Sequence, residues 1–278
     1  MILIRRGEEP SELKDVRTAQ LQKLSTLGRT PTADDISGYA CVRESLRKAQ
    51  YGKCCYCEYS IGEKFNDVEH YRPKGRAIRH PGCELTHGYW WLSFTWENLL
   101  FACSECNRIE KNDLFPLEKG SVSLREHEVP PGQEKCLLLN PAEQINPIEH
   151  IMFVFESESR GMAKHWRAKP RNTSQLGNFS ISVFGLNTKR LYEARDDYYE
   201  LTIKHRIQQL ETALKNQDTR AILEQYKECL RLLLPGQRFV ALTYDVLQSA
   251  IPNSMLEQTI GQTWPSPSEI PLLTPPIF

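Results

Sequence analysis

The chain has 278 residues, 40% of them hydrophobic, and its 35 basic and 35 acidic side chains cancel to a formal net charge of zero. That is enough length and apolar content for one large domain or two modest ones with a real core. Balanced charge excludes a non-specific coat for nucleic acid, so any phosphate contact must be local or shared with a partner. No apolar run approaches a membrane span, and the opening MILIRRGEEP lacks the apolar stretch of a signal peptide, which points to a cytosolic protein without membrane contact.

In chain order, Ile2, Leu3 and Ile4 read as a short strand, followed by a polar helix ending near Gly28. Thr32 is a plausible N-cap for a second helix, because Ile36, Tyr39, Ala40, Val42, Leu46 and Ala49 fall at helical intervals. Its Arg43, Arg47 and Lys48 read as a solvated face, and Gly52 ends it. Between Tyr51 and Leu117 cysteine, aromatic and polar residues crowd together, as in a small unit held by metal rather than by core size. Within it residues 80–89 read as a loop, and Arg108 to Lys111 as the start of a helix stopped by Phe115-Pro116. A connector follows over 118–135. Residues 137–141 and 151–155 read as strands, and residues 189–215, 219–234 and 239–251 as helices. The proline-rich tail from Thr263 reads as extended. The organisation expected is an N-terminal strand and helices over 1–50, a metal-held unit over 51–118, and a mostly helical region over 119–278. The fold class is α+β, with a small zinc-stapled finger embedded in a mostly helical protein.

Nine cysteines cannot all pair, and in a reducing cytosol the two Cys-x2-Cys pairs, Cys54/Cys57 and Cys103/Cys106, read as thiolate metal ligands. Cys54 is preferred to Cys55, since two intervening residues let both thiolates face one tetrahedral ion. Four thiolates leave no open position, which makes a structural Zn²⁺ the reading of choice over a catalytic one. Cys41, Cys136 and Cys229 read as small hydrophobes. Between the pairs lies Val68-Glu69-His70-Tyr71-Arg72-Pro73-Lys74. A histidine can take a proton from water near neutral pH, and a neighbouring carboxylate can hold a divalent cation. Adjacent strand residues point to opposite faces, so a bulge or turn would be needed for both to reach one phosphate. Asn98 can use its amide to fix the loop carrying His70. Asn107, at a helix start, can offer its side-chain oxygen to a cation or simply serve as an N-cap.

At these residues the chain resembles the HNH endonuclease superfamily, whose catalytic unit is a ββα-metal finger. An acidic residue and histidine, then Asn-Leu, then Cys-x2-Cys followed directly by Asn match that pattern one element at a time. The resemblance implies phosphodiester hydrolysis with His70 as general base, and Glu69 and Asn107 holding a catalytic Mg²⁺ or another divalent cation. It also implies Asn98 holding the active-site loop, and Cys54, Cys57, Cys103 and Cys106 binding the structural zinc. Gly52-Lys53-Cys54, the Val68 to Lys74 segment, Lys111, Phe115-Pro116-Leu117, Leu138-Leu139-Asn140-Pro141, Phe184-Gly185-Leu186-Asn187 and the helix carrying Arg195 look like the retron- and Septu-associated HNH proteins. That group implies an anti-phage effector working with an ABC-type ATPase, in some systems also with a reverse transcriptase and its DNA–RNA product.

Arg72, Lys74, Arg76, Arg108 and Lys111 surround the candidate site and can supply the local positive field for a nucleic acid, DNA or tRNA. His80 and His87 read as loop histidines. Trp90, Trp91, Phe94 and Trp96 read as packing for the finger rather than as base-stacking platforms. Two other readings stand beside the defence nuclease: a non-catalytic zinc-finger module that binds nucleic acid or protein, and a stand-alone restriction-type nuclease.

Overall fold

A computed structural model of the protein describes residues 1–62, 66–80, 85–159 and 161–274. Helix α1 (Ser11–Ser25) starts after extended Pro10 and buries only Leu13 and Leu24, in keeping with its polar sequence. Residues 2–4 form no strand; Ile4 makes one backbone bond to the Pro141 carbonyl at 2.6 Å while Met1 and Ile2 pack into the core. The single helix expected after Thr32 is broken. Two short turns, Ala33–Asp35 and Tyr39–Val42, precede α2 (Arg43–Ala49). The break sits at Gly38, whose φ of +92° is foreign to a right-handed helix and where a Cβ would come within 3.0 Å of the Val16 side chain. The apolar spacing was therefore helical without the backbone being so.

Strand β1 (Asn66–His70) pairs antiparallel with β4 (Leu99–Cys103), Asn66 opposite Cys103 and His70 opposite Leu99. A short hairpin of β2 (Arg76–Ile78) and β3 (Leu85–His87) lies between them in sequence. The expected loop over 80–89 thus contains a strand, with Thr86 Oγ1 bonding the Ala77 carbonyl at 3.1 Å. Cys83 lies outside the described residues. After β4 comes a short, wide helix, Glu105–Lys111, closed by a 2.7 Å bond from the Asn112 amide to the Asn107 carbonyl, with Asn112 at φ +44°. All of β4 is buried, and Gln50 fixes α2 to it: its amide gives to and takes from the backbone of Phe101 at 2.6 and 2.8 Å.

Beyond the connector, residues 137–141 form no strand, since only an isolated Leu117–Cys136 bridge is present; Leu137 to Leu139 are buried instead. Strand β5 (Ile151–Ser157), as expected, pairs with β6 (Lys164–Pro170), which lacks an obvious apolar alternation. Then follow α3 (Gln175–Val183), α4 (Lys189–Tyr198), a wide turn (Tyr199–Ile203), α5 (Lys204–Lys215), α6 (Thr219–Arg231), α7 (Val240–Ala250) and α8 (Asn253–Ile260). The chain is α+β: helices with three two-stranded sheets among the described residues. No described helix is long and apolar enough to cross a membrane.

One continuous core links the cysteine-rich unit to the helices behind it. Tyr56 stacks on Phe184 at 3.8 Å. Buried Glu58 accepts from the Val240 and Ala241 amides at 2.8 and 3.3 Å, so a carboxylate from the first cysteine turn closes the N-terminus of α7, where unpaired N–H groups and the helix dipole favour negative charge. Lys53 reaches the Gln237 carbonyl at 2.5 Å from the same turn.

Candidate active site and metal centre

The four predicted cysteines converge. The Sγ atoms of Cys54, Cys57, Cys103 and Cys106 all lie within 4.8 Å of one another and are buried, with Cys57 and Cys103 at 3.9 Å. Tetrahedral Zn–S bonds of about 2.3 Å require sulfurs about 3.8 Å apart, so this donor set fits a zinc ion. Cys55 stands outside the cluster, its amide tied to the Phe101 carbonyl at 3.0 Å. The Cys106 amide points at the Cys103 sulfur at 3.5 Å, and hydrogen bonds from Cys106, Cys54 and Cys57 pull the Cys103 thiol far below its ordinary range. Two arginines of α4 lie near the cysteine cluster, Arg190 feeling Cys57, Cys103 and Cys106 and Arg195 feeling Cys57 and Cys106. Arg190 pairs with Glu105, and fully buried Arg195 donates to the Leu186 and Trp166 carbonyls at 2.6 and 3.3 Å. Burial pulls Arg195 down to about 10, against the opposing pull of Cys57, Glu58 and Cys106.

His70 ends β1 and is 6% exposed. Its Nε2 lies 3.0 Å from the Ser93 carbonyl. A carbonyl only accepts, so Nε2 carries the proton and the lone pair sits on Nδ1. Burial, with help from the nearby Lys74 and Lys111 ammonium groups and against the Ser93 carbonyl, pushes the imidazole down to about 3 and keeps it neutral. The Tyr39 and His70 rings meet in a T-shaped arrangement with their centroids 4.5 Å apart. Asn98 clamps the turn that follows. Its Oδ1 accepts from the Arg72 amide at 2.8 Å, and its Nδ2 donates to the Arg72 and Leu92 carbonyls at 3.2 and 3.1 Å. One buried amide therefore ties the Arg72 turn just after His70 to the Leu92 segment.

Glu69 takes the opposite face of β1, as strand alternation requires. Its Oε1 meets Lys111 Nζ at 2.7 Å and the Tyr56 hydroxyl at 3.2 Å, and Lys111 also donates to the His70 carbonyl at 3.0 Å. Burial pushes the Glu69 carboxyl up, and Lys111 and Tyr56 pull it back. Asn107 lies elsewhere on the helix, its Nδ2 giving to Asp67 Oδ2 at 3.2 Å. Asp67 also takes a two-pronged bond from Arg108, one prong at 2.9 Å. The pair implied for a divalent cation, Glu69 with Asn107, is thus not gathered around one point. An ammonium already neutralises the first, and the amino side of the second faces another acid. As arranged, these donors do not fit Mg²⁺, and among the described residues the cysteine cluster is the only group of three or more His, Cys, Asp or Glu side chains placed to hold a metal ion.

The five predicted phosphate contacts also divide. Arg72 is buried and bonded to Glu134 at 2.9 Å, and Lys111 is buried against Glu69, so neither offers its charge to a bulky ligand. Arg76 and Arg108 are exposed but paired with Asp113 and Asp67. Lys74 differs: it donates to the Tyr39 hydroxyl at 3.0 Å and the Ile36 carbonyl at 3.4 Å, and no described carboxylate lies within ion-pair distance. His80 is exposed; His87 contacts the Leu124 carbonyl at 3.3 Å; Trp90, Trp91, Phe94 and Trp96 are buried. Sequence reasoning missed Ser93, Tyr39 and Asp67. Strand parity, two residues before Glu69, was enough to flag Asp67; nothing local marks Ser93 or Tyr39 as neighbours of His70.

The chain is 34% identical over 206 residues to Septu protein PtuB of Bacillus mycoides (strain KBAB4), a match covering 70% of this chain and 66% of that protein. It is 28% identical over 149 residues to Septu protein PtuA of the same strain, covering 53% of this chain and 19% of that protein. The chain therefore spans just under two thirds of the first relative and about a fifth of the second. No family model matches the chain, and no solved structure does.

Proposed function

We propose that this chain is an HNH-type endonuclease that hydrolyses phosphodiester bonds in nucleic acid, as the effector of a Septu-type anti-phage complex with an ABC-type ATPase. The observation that carries the reading is the state of His70: a neutral imidazole whose Nε2–H is held by the Ser93 carbonyl, leaving Nδ1 as the proton acceptor, at the end of a strand beside a four-cysteine staple. Its likeness to Septu proteins supports the defence context.

In the proposed reaction His70 Nδ1 takes a proton from water as the water oxygen attacks phosphorus, and the leaving oxygen departs with its electron pair to be protonated by solvent. An arriving phosphate raises the basicity of a buried imidazole, because negative charge nearby favours the imidazolium. Asn98 positions the loop, and the zinc, when bound, supplies a cross-link between the two cysteine turns rather than chemistry. Glu69 belongs with Lys111 as a pin that holds β1 to the finger helix. The unit over 51–118 carries the reaction, and the helices beyond Lys189 are the proposed docking surface for the ATPase; a reverse transcriptase with its DNA–RNA product is a further partner the resemblance implies.

The test is cleavage of supercoiled plasmid and of total tRNA in Mg²⁺, with and without the ATPase, alongside His70→Ala. Cleavage that falls at least about 100-fold in His70→Ala with the fold intact is expected, and the polymer cut identifies the substrate. Wild-type rates in His70→Ala would sink the proposal. Two observations favour the second reading, a non-catalytic zinc-stapled binding module: His70 is buried and Glu69 is already neutralised. Nucleic-acid binding without cleavage by the zinc-loaded protein under every condition selects it.

A further inference from the structure

We infer that Lys74 and Tyr39 form the subsite that takes the phosphate group beside His70, and that residues 36–42 are therefore a wall of the active site rather than part of a separate N-terminal unit. The inference rests on the nuclease reading for its biological meaning, but its anion chemistry stands on the charges alone.

Of the five cations around the site, four have an acid. Arg72 has Glu134, Arg76 has Asp113 at 2.5 Å, Arg108 has Asp67, and Lys111 has Glu69. Lys74 alone is held by neutral oxygens, the Tyr39 hydroxyl and the Ile36 carbonyl, with its Nζ 4.4 Å from the centre of the Tyr39 ring. Among the described residues this half-buried ammonium meets only dipoles and a ring face, which leaves its charge with an open demand for an anion. Tyr39 joins the two halves of the site: its ring packs T-shaped with that of His70, and its hydroxyl accepts from Lys74, which leaves that hydroxyl's own hydrogen free to donate. A non-bridging phosphate oxygen placed there takes one bond from an ammonium and one from a phenol, next to the imidazole that would receive the proton from water. The chain backbone is shaped for this. Gly38 at φ +92° turns residues 39–42 toward β1, and Ile36 behind it is buried.

The experiment is a titration of inorganic phosphate into the full-length, zinc-loaded protein, followed through the ¹⁵N-labelled imidazole resonances of His70. Saturable shifts are expected for the wild type. Lys74→Met should weaken binding by about tenfold or more, and Tyr39→Phe, which keeps the ring, by about threefold. Lys48→Ala, on the solvated face of α2, serves as the unchanged control. An unmoved His70 in the wild type, or wild-type affinity in both Lys74→Met and Tyr39→Phe, overturns the subsite. Should Lys74→Met fail to fold, Tyr39→Phe decides. The parallel cleavage assay separates this proposal from the broader one. Phosphate binding that depends on Lys74, in a protein that cuts neither plasmid nor tRNA, leaves the subsite standing and removes the nuclease. Cleavage at the wild-type rate by folded Lys74→Met does the reverse.

Discussion

Strand β1 carries acids on one face and the candidate base on the other, and the protein treats the two faces in opposite ways. Asp67 and Glu69 look toward the finger helix and are each met by a cation from it, Arg108 and Lys111. His70 looks the other way and meets a carbonyl, the Tyr39 ring and, beyond them, an ammonium with no acid partner among the described residues. One face is closed by complementary charge; the other keeps an uncompensated charge at the site. The contrast separates groups that hold the finger together from groups with chemistry still available. It also reassigns Glu69, which the resemblance made a metal ligand, to the first class.

The largest effect should come from the staple on which both faces depend. Cys103→Ser, or stripping zinc with a strong chelator, should remove stabilisation on the order of 10 kcal/mol, the scale of structural zinc binding in small domains. Loss of the cooperative thermal transition and release of one equivalent of zinc, read with a chromogenic chelator, would register it. A protein that keeps its melting temperature after losing zinc would mean that the α7 cap by Glu58 and the Tyr56–Phe184 stack hold the finger without metal.

Next in size is the closed face. Lys111→Met leaves the Glu69 carboxylate buried and unpaired and should cost about 3–5 kcal/mol in urea unfolding. Adding Glu69→Gln to it should recover much of that loss, because the stranded charge is gone. If instead Glu69 is a metal ligand, Lys111→Met should be nearly silent in Mg²⁺, with the ion taking the place of the ammonium. Asn98→Ala should follow at about 3 kcal/mol, since it orphans the Arg72 amide and the Arg72 and Leu92 carbonyls at a buried side chain.

How much of this could be read from the chain depends on how far apart the partners lie in it. The cysteines were legible because each turn is local and its spacing is set by the metal. The helices over 189–215, 219–234 and 239–251 were legible because their apolar spacing is long and regular. Gly38 defeated the same argument at residues 32–51: spacing records which side chains are buried, not whether one helix carries them all. β3 and β6 hid in polar, short segments whose partners supply the order. α3 and α8 were passed over as short helices between stronger signals. The charge pattern was the least legible part. Arg72, Arg76 and Lys74 sit within five positions and look alike, yet the partner that buries Arg72, Glu134, comes from 62 residues away.

The smallest effect should come from Arg108, and it tests whether closure or mere proximity matters on the acidic face. Its two-pronged pair with Asp67 links β1 to the finger helix as Lys111 with Glu69 does, but the Arg108 side chain is 70% exposed where that of Lys111 is fully buried. Solvent screens the exposed pair, and Arg108→Ala should change stability by no more than about 1 kcal/mol. Asp67, 8% exposed in its side chain, then keeps the Asn107 amide as a neutral partner and gains water in place of the guanidinium. A loss approaching that of Lys111→Met, measured by the same urea unfolding, would mean that the whole acidic face acts as one network rather than as a buried pin with a solvated neighbour. In that case the line between the two faces would hold, but the division within the closed face would fall.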